Sequence, residues 1–178
     1  MAPRYSLAKK EAASLLRRAR VTKPPVPVEK IAALLKAEVV MQPFHGQGEV
    51  SGVVYRNKDG TAIIGVNSSH PPQRQRFTIA HEIGHLLLHV DEDLHVDRNF
   101  PIGLRSGRST ESTDVNEVEA NQFAAALLMP ADLLARDIQP FMGKDVLFAI
   151  NRLAKKYEVS EQAMSIRLSA LRYVELGT

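Results

Sequence analysis

A chain of 178 residues, 44% hydrophobic and 24% charged, is long enough for one globular domain with its own core. It has no cysteine, which excludes disulfides and thiolate-ligated metals, so a metal site must use histidine and carboxylate. A net charge of +3 asks for no more than a solvated surface with excess Lys and Arg, and no apolar run approaches the roughly 20 residues that span a bilayer. The basic opening segment MAPRYSLAKKEAASLLRRAR lacks the unbroken apolar stretch of a secretory signal, so a cytoplasmic protein is expected.

In chain order, residues 7–20 carry Leu7, Ala12, Leu15, Leu16 and Ala19 at helical spacing, with Ser6 as the expected cap. Lys23-Pro24-Pro25-Val26-Pro27 ends that helix. A second helix is expected over 28–37, with Ile31, Leu34 and Leu35 inward. Val39-Val40-Met41 reads as a strand and His45-Gly46-Gln47-Gly48 as a turn. Strands at 50–55 and 61–66 are joined by Asn57-Lys58-Asp59-Gly60, a hairpin signal. Pro71-Pro72 precedes a helix over 73–89. Residues 91–113 are polar and read as a long loop, either a lid or disordered. A helix over 115–128 ends at Met129-Pro130, and Asp132 is placed as the cap of a short helix. Two more helices, 144–157 and 160–174, close the chain, the latter starting at Ser160-Glu161.

Within the third helix, His81-Glu82-Ile83-Gly84-His85 is an H-E-x-x-H motif. Helical residues four apart lie on one face about 6 Å along the axis, so both imidazoles can meet one tetrahedral Zn2+. Glu82, rotated by about 100°, projects beside the ion, where it can accept a proton from water acidified by the metal and return it to the leaving amine. The motif also arises by chance on amphipathic helices. Against chance stand the apolar neighbours Phe77, Ile79, Ala80 and Leu86 to Leu88, the small Gly84, and a downstream acid. His89 lies two turns from His81, too far to share its tetrahedron, and is expected at the helix end or behind a ligand. His45, His70 and His95 fall in expected turns or loops and receive no role.

A third protein ligand leaves one position open for water. Glu117 and Asn121 share a helix face, so a carboxylate ligand could stand beside a side chain that orients a histidine. Glu117 could instead only cap its helix with Asp114, and Glu119, on the stripe of Phe123 and Ala126, is the rival ligand. Glu117 is preferred. Tyr55, His70 and loop residues are the candidates for stabilising an oxyanion.

HEIGHLLLH followed by VEANQFAAALLMP resembles the ImmA/IrrE-type metallopeptidases, as do PVPVEKIAALLKAEVV before them and LAKKYEVSEQAMSIRL after, so that the likeness spans 25–171. The resemblance implies an α+β, zincin-like (gluzincin-like) fold, with a small antiparallel sheet beside the active-site helix and a substrate strand added to the sheet edge, expected at 61–66. It makes His81, His85 and Glu117 the metal ligands and Glu82 the general base, with one Zn2+ per chain and Mn2+ or Fe2+ as alternatives. It implies site-specific cleavage of a helix-turn-helix transcriptional repressor or antitoxin, in transcription regulation, stress response or toxin–antitoxin pairs. The expected organisation is a single metallopeptidase domain, 1–178: an N-terminal helix and connector (1–24), a catalytic core (25–130) and a C-terminal helical part (131–178). A separate sensor or DNA-binding domain is not expected.

The last two helices also resemble a helix-turn-helix, with Leu153, Ala154, Val159, Ala163, Ile166 and Leu168 locking the pair and Lys155, Lys156, Arg167 and Arg172 facing phosphates. This defines a rival from another class, a DNA-binding or antitoxin-like module with a structural metal. Plain packing of the pair is preferred, since no dense basic recognition helix is present. A pseudo-protease that holds its partner uncut is disfavoured by the intact Glu82.

Overall fold

The computed structural model describes residues 2–44, 50–90, 93–98 and 111–174, with side chains for all of these except 98 and 111–114. The elements run α1 (Tyr5–Arg18), α2 (Val28–Leu34), β1 (Ala37–Gln42), β2 (Val50–Arg56), β3 (Ala62–Asn67), α3 (Pro72–Leu88), β4 (Leu94–Arg98), α4 (Glu111–Leu128), α5 (Ala131–Asp137), a short 3-10 turn (Gln139–Phe141), α6 (Val146–Tyr157) and α7 (Glu161–Ala170). Among the described residues this is a mixed α+β arrangement with a four-stranded sheet in the order β1-β3-β2-β4.

Local chemistry explains most of these boundaries. Gly60 adopts φ +82°, the left-handed region that the hairpin turn requires, and Asp59 Oδ1 accepts from the Thr61 backbone N–H at 2.9 Å. β2 and β3 then pair antiparallel, as the Asp-Gly signal led one to expect. Ser160 Oγ accepts from the Ala163 N–H at 3.1 Å and starts α7. Ser6 lies inside α1 and Asp132 inside the first turn of α5, so neither caps its helix; Arg4 and Pro130, each just ahead of its helix, hold the N-cap positions. Helix α2 ends at Leu34, and Lys36 at φ +57° turns the chain into β1, which leaves Leu34 exposed rather than inward.

The helix α3 is sandwiched. One side packs on β2 and β3, the other on α4, and α1 lies across α4. Ile79, Ile83, Phe123, Leu127 and Leu128 form the fully buried centre of this stack. Gly84 has a packing reason. A Cβ there would stand 3.1 Å from the Ala120 Cα, so its absence lets α3 and α4 approach at the level of the H-E-x-x-H motif.

Four expectations need correction. The sheet is mixed, because β1 pairs parallel with β3. Strand β3 is not an edge: β1 covers one side and β2 the other, and among the described residues the outer strands are β1 and β4. The stretch expected as one loop from 91 to 113 contains strand β4, paired antiparallel with β2, and α4 starts at Glu111. Within the presumed helix-turn-helix, Arg167 is buried and its Nε–H donates to the Met129 carbonyl at 3.0 Å, so it does not face a phosphate, and Ile166 points outward. The turn at 45–48 and the 91–92 and 99–110 parts of the expected loop lie outside the described residues.

Candidate metal centre

Helix α3 presents His81 and His85 on one face, and α4 crosses it to bring Glu117 opposite them. His81 Nε2 and His85 Nε2 are 3.0 Å apart, and Glu117 Oε2 and Oε1 lie 3.3 and 3.4 Å from them. Donor atoms around a tetrahedral ion with bonds of about 2.0–2.1 Å stand roughly 3.3–3.4 Å from one another. The two nitrogen–oxygen distances, one to each Glu117 oxygen, match that spacing and the nitrogen–nitrogen distance is somewhat shorter, so the three side chains are close enough to share one ion. All three side chains are buried, and two imidazoles with one carboxylate are a donor set suited to Zn2+.

Each histidine is held from behind. The His81 Nδ1–H donates to Asn121 Oδ1 at 3.0 Å, which leaves the Nε2 lone pair directed inward. His85 is held by a longer chain. Its Nδ1 is 3.0 Å from His89 Nδ1, and His89 Nε2 is 3.2 Å from Glu119 Oε2. A carboxylate only accepts, so His89 donates through Nε2 and accepts from His85 at Nδ1, freeing His85 Nε2 for a metal. Arg4 completes the chain from α1, with its backbone N–H 2.6 Å from Glu119 Oε1 and its guanidinium 2.8 Å from Oε2. Glu119 is thus a support, separate from the cluster, and His89 stands behind a histidine. Arg56 of β2 donates to the carbonyls of His85, Leu86 and His89, pinning the C-terminal end of α3 where a cation suits the helix dipole.

Glu82 sits on the sheet side of α3. Both carboxylate oxygens are buried without a hydrogen-bond partner among the described residues. Burial raises its pKa from 4.5 to about 8, against the pull of His81 and His95. A Cβ at Gly52 of β2 would lie 2.7 Å from Glu82 Oε1, so that glycine provides the space the carboxylate occupies. For Glu117, burial works upward, but the hydrogen bonds from His81, His85 and His95 win and hold the carboxyl far below its usual range. Burial opposes charge on His81, yet Glu117 and Glu82 bring its pKa up to about 9, while burial takes His85 down to about 3. The carboxylates thus favour positive charge at this point, as a metal cation would supply.

Two members of the site were missed in the sequence. His95 and Asp97 lie on β4, paired with Val54 and Gly52, and side-chain alternation turns both toward α3. His95 Nε2 is 3.0 Å from Glu117 Oε1, and its ring stacks on His85 with centroids 3.5 Å apart. His81, His85, His95 and Glu117 place their donor atoms within 4.8 Å of one another, and Asp97 joins His81 and Glu82 in a second group. Burial lowers and Glu117 raises the His95 pKa, with a net rise; burial raises that of Asp97. Of the oxyanion candidates, Tyr55 faces the opposite side of the sheet, and His70 joins neither group.

A mixed α+β domain that seats H-E-x-x-H against a glutamate from a crossing helix has the frame of a metallopeptidase. The chain belongs to the peptidase family described as the IrrE N-terminal-like domain, whose profile matches residues 36–169. It is 41% identical over 100 residues to the radiation response metalloprotease IrrE of Deinococcus radiodurans, covering 55% of this chain and 28% of that protein. Against the protein of the same name from Deinococcus deserti it is 47% identical over 72 residues, covering 40% and 24%. It is 29% identical over 126 residues to an uncharacterized immunity region protein of Bacillus phage phi105, covering 71% of this chain and 70% of that one. The chain thus spans about a quarter of the length of the two Deinococcus relatives. A Mycobacterium tuberculosis transcriptional regulator shares the fold, with a TM-score of 0.60 at 18% identity over 91% of this chain and 46% of that one.

Proposed function

We propose that the chain is a zinc-dependent endopeptidase of zincin-like architecture, with His81, His85 and Glu117 as metal ligands and Glu82 as general base. The observation that carries this is the convergence of two imidazole nitrogens and a carboxylate to within 3.0–3.4 Å of one another, with a buried carboxylate that has no hydrogen-bond partner among the described residues beside them. The bound metal would supply Lewis acidity to the attacking water and the scissile carbonyl. The chain's own residues do the rest. Glu82 takes a proton from the water at a carboxylate oxygen and passes it to the leaving nitrogen, a task open to a buried carboxylate with no hydrogen-bond partner among the described residues. Asn121 and the His89–Glu119–Arg4 chain keep the ligand lone pairs directed inward.

The substrate docks as an added strand along β4, the outer strand that lies beside the site, in place of the β3 edge. We assign it to a helix-turn-helix repressor or antitoxin-like protein; kinship with a protein named for a phage immunity region supports this. A cytoplasmic setting follows from that substrate class, and no helix among the described residues is long and apolar enough to cross a membrane. The N-terminal helix (1–24), the core (25–130) and the C-terminal helices (131–178) act as one unit, in keeping with the reach of Arg4 to Glu119.

Elemental analysis of wild type, His81→Ala and Glu82→Gln, with incubation against a helix-turn-helix repressor encoded beside the gene, tests the proposal. The expected result is about one zinc per chain in wild type and Glu82→Gln, none in His81→Ala, and cleavage by wild type alone. Wild type without metal after zinc is supplied would overturn it.

A further inference from the structure

We propose that His95 is a further catalytic residue of this centre, a hydrogen-bond donor to the substrate carbonyl oxygen as that atom takes on negative charge. The proposal rests on the metallopeptidase reading above. Its first support is placement. The β2–β4 register sets His95 opposite Val54, on the sheet face that packs against α3, while Leu94 and Val96 on either side of it face outward and are exposed. The outer strand thus delivers an imidazole into the centre instead of an apolar side chain.

The second support is position within the cluster. The His95 Nε2 is 3.0 Å from Glu117 Oε1 and within 4.8 Å of the donor atoms of His81 and His85. Its side chain keeps 10% exposure, against 2% for His81, 1% for His85 and 5% for Glu117, so it lines the mouth of the site. A substrate strand added to the outer edge of β4 passes that mouth.

The third support separates His95 from the ligands. An imidazole nitrogen donates its lone pair in the ring plane. The rings of His85 and His95 stack with centroids 3.5 Å apart at 16°, so their in-plane lone pairs lie in two nearly parallel, separated planes and are poorly placed to meet at one ion. The other three donors already make a three-ligand site with a position left open. His95 Nε2 stands 3.0 Å from Glu117 Oε1, and an N–H that passed from that carboxylate oxygen to a substrate oxygen would meet the requirement for stabilising an oxyanion, where a single donor contributes about 100- to 1,000-fold in rate.

The test uses the full chain, with zinc alone and then acetohydroxamate as probes, in wild type, His95→Ala and His95→Gln. Acetohydroxamate presents an anionic oxygen to a metal and to a neighbouring donor. The proposal expects zinc affinity within about threefold of wild type in both variants. It expects acetohydroxamate affinity in the zinc-loaded chain to fall about 10- to 100-fold in His95→Ala and to recover in part in His95→Gln, which retains a donor. A tenfold or greater loss of zinc affinity would make His95 a ligand and overturn the proposal. Unchanged acetohydroxamate affinity would make it a bystander and overturn it equally. Wild type without zinc would instead sink the metallopeptidase reading itself, and the two failures are told apart by the first titration.

Discussion

At the scale of single residues, the centre depends on what stands behind it. Gly52 has no side chain because Glu82 and Thr78 occupy the space a Cβ would take. Gly52→Ala is expected to displace the Glu82 carboxylate, costing about 1–3 kcal/mol of stability and most of the hydrolysis, with zinc still bound. Equilibrium unfolding and metal analysis on the same variant check this, and loss of metal would show that the strain reaches the ligands. Asn121→Ala removes the acceptor that orients His81, so zinc affinity should fall about 10- to 100-fold by competition with a chelator. Glu119→Gln should fall in the same range through His89 and His85, although it lies outside the His81–His85–Glu117 cluster. The two rival glutamates have different surroundings, Glu117 beside His81 and His85 and Glu119 beside Arg4 and His89. Both glutamates are on one helix two residues apart, and only the crossing of α4 over α3 shows which of them faces the histidine nitrogens and which faces Arg4.

At the scale of elements, β4 is the instructive case. In Leu94-His95-Val96-Asp97 apolar residues alternate with polar ones over only four positions, and an ordinary half-buried strand of this pattern would turn Leu94 and Val96 inward. The structure inverts it: the polar pair faces α3 and the apolar pair is exposed. The inversion is sensible where a sheet face lines a charged site, but a polar segment without an inward apolar face carries no core signal, and the strand was read as loop. The α5–α6 contact supplies a testable element of another kind. Tyr157 donates to Asp137 Oδ2 at 3.0 Å, and Lys156 Nζ is 2.8 Å from the same atom. Burial would raise the Asp137 pKa, but Lys156, Arg136 and Tyr157 lower it below the ordinary 3.8. A folded pKa below the unfolded one gives a contribution that is present above about pH 4 and lost as pH falls further. Asp137→Asn should therefore be less stable than wild type at neutral pH, by about 1 kcal/mol given the half-exposed Lys156 and Arg136, with the gap closing in acid. Urea unfolding from pH 7 to pH 2.5 measures it; a gap independent of pH would show that packing, not charge, is the cause.

At the scale of the whole molecule, the buried carboxylates and imidazoles lie between the sheet, α3 and α4, so metal binding and folding should be linked. Zinc at about 1,000 times its Kd is expected to add roughly 4 kcal/mol to stability. For a domain of this size that corresponds to a Tm rise of about 8–16 °C, reversed by chelation and absent in His81→Ala. A Tm indifferent to zinc would place the metal, if bound, outside the folded core.

Short-range features can be read from the sequence alone. Helical periodicity places His81 and His85 on one face four residues apart and Glu117 one turn before Asn121, and the Asp-Gly turn specifies the β2–β3 hairpin. These depend on neighbours within a few residues, so they were legible. Tertiary structure alone decided the rest: that β1 runs parallel beside β3 and closes its edge, that β4 becomes the outer strand at the site, that Arg167 is buried beneath Met129, and that His95 joins the centre. Each follows from pairing between segments dozens of residues apart, where the gain comes from backbone hydrogen bonds and from burying α3, and no local pattern of side chains records such a pairing.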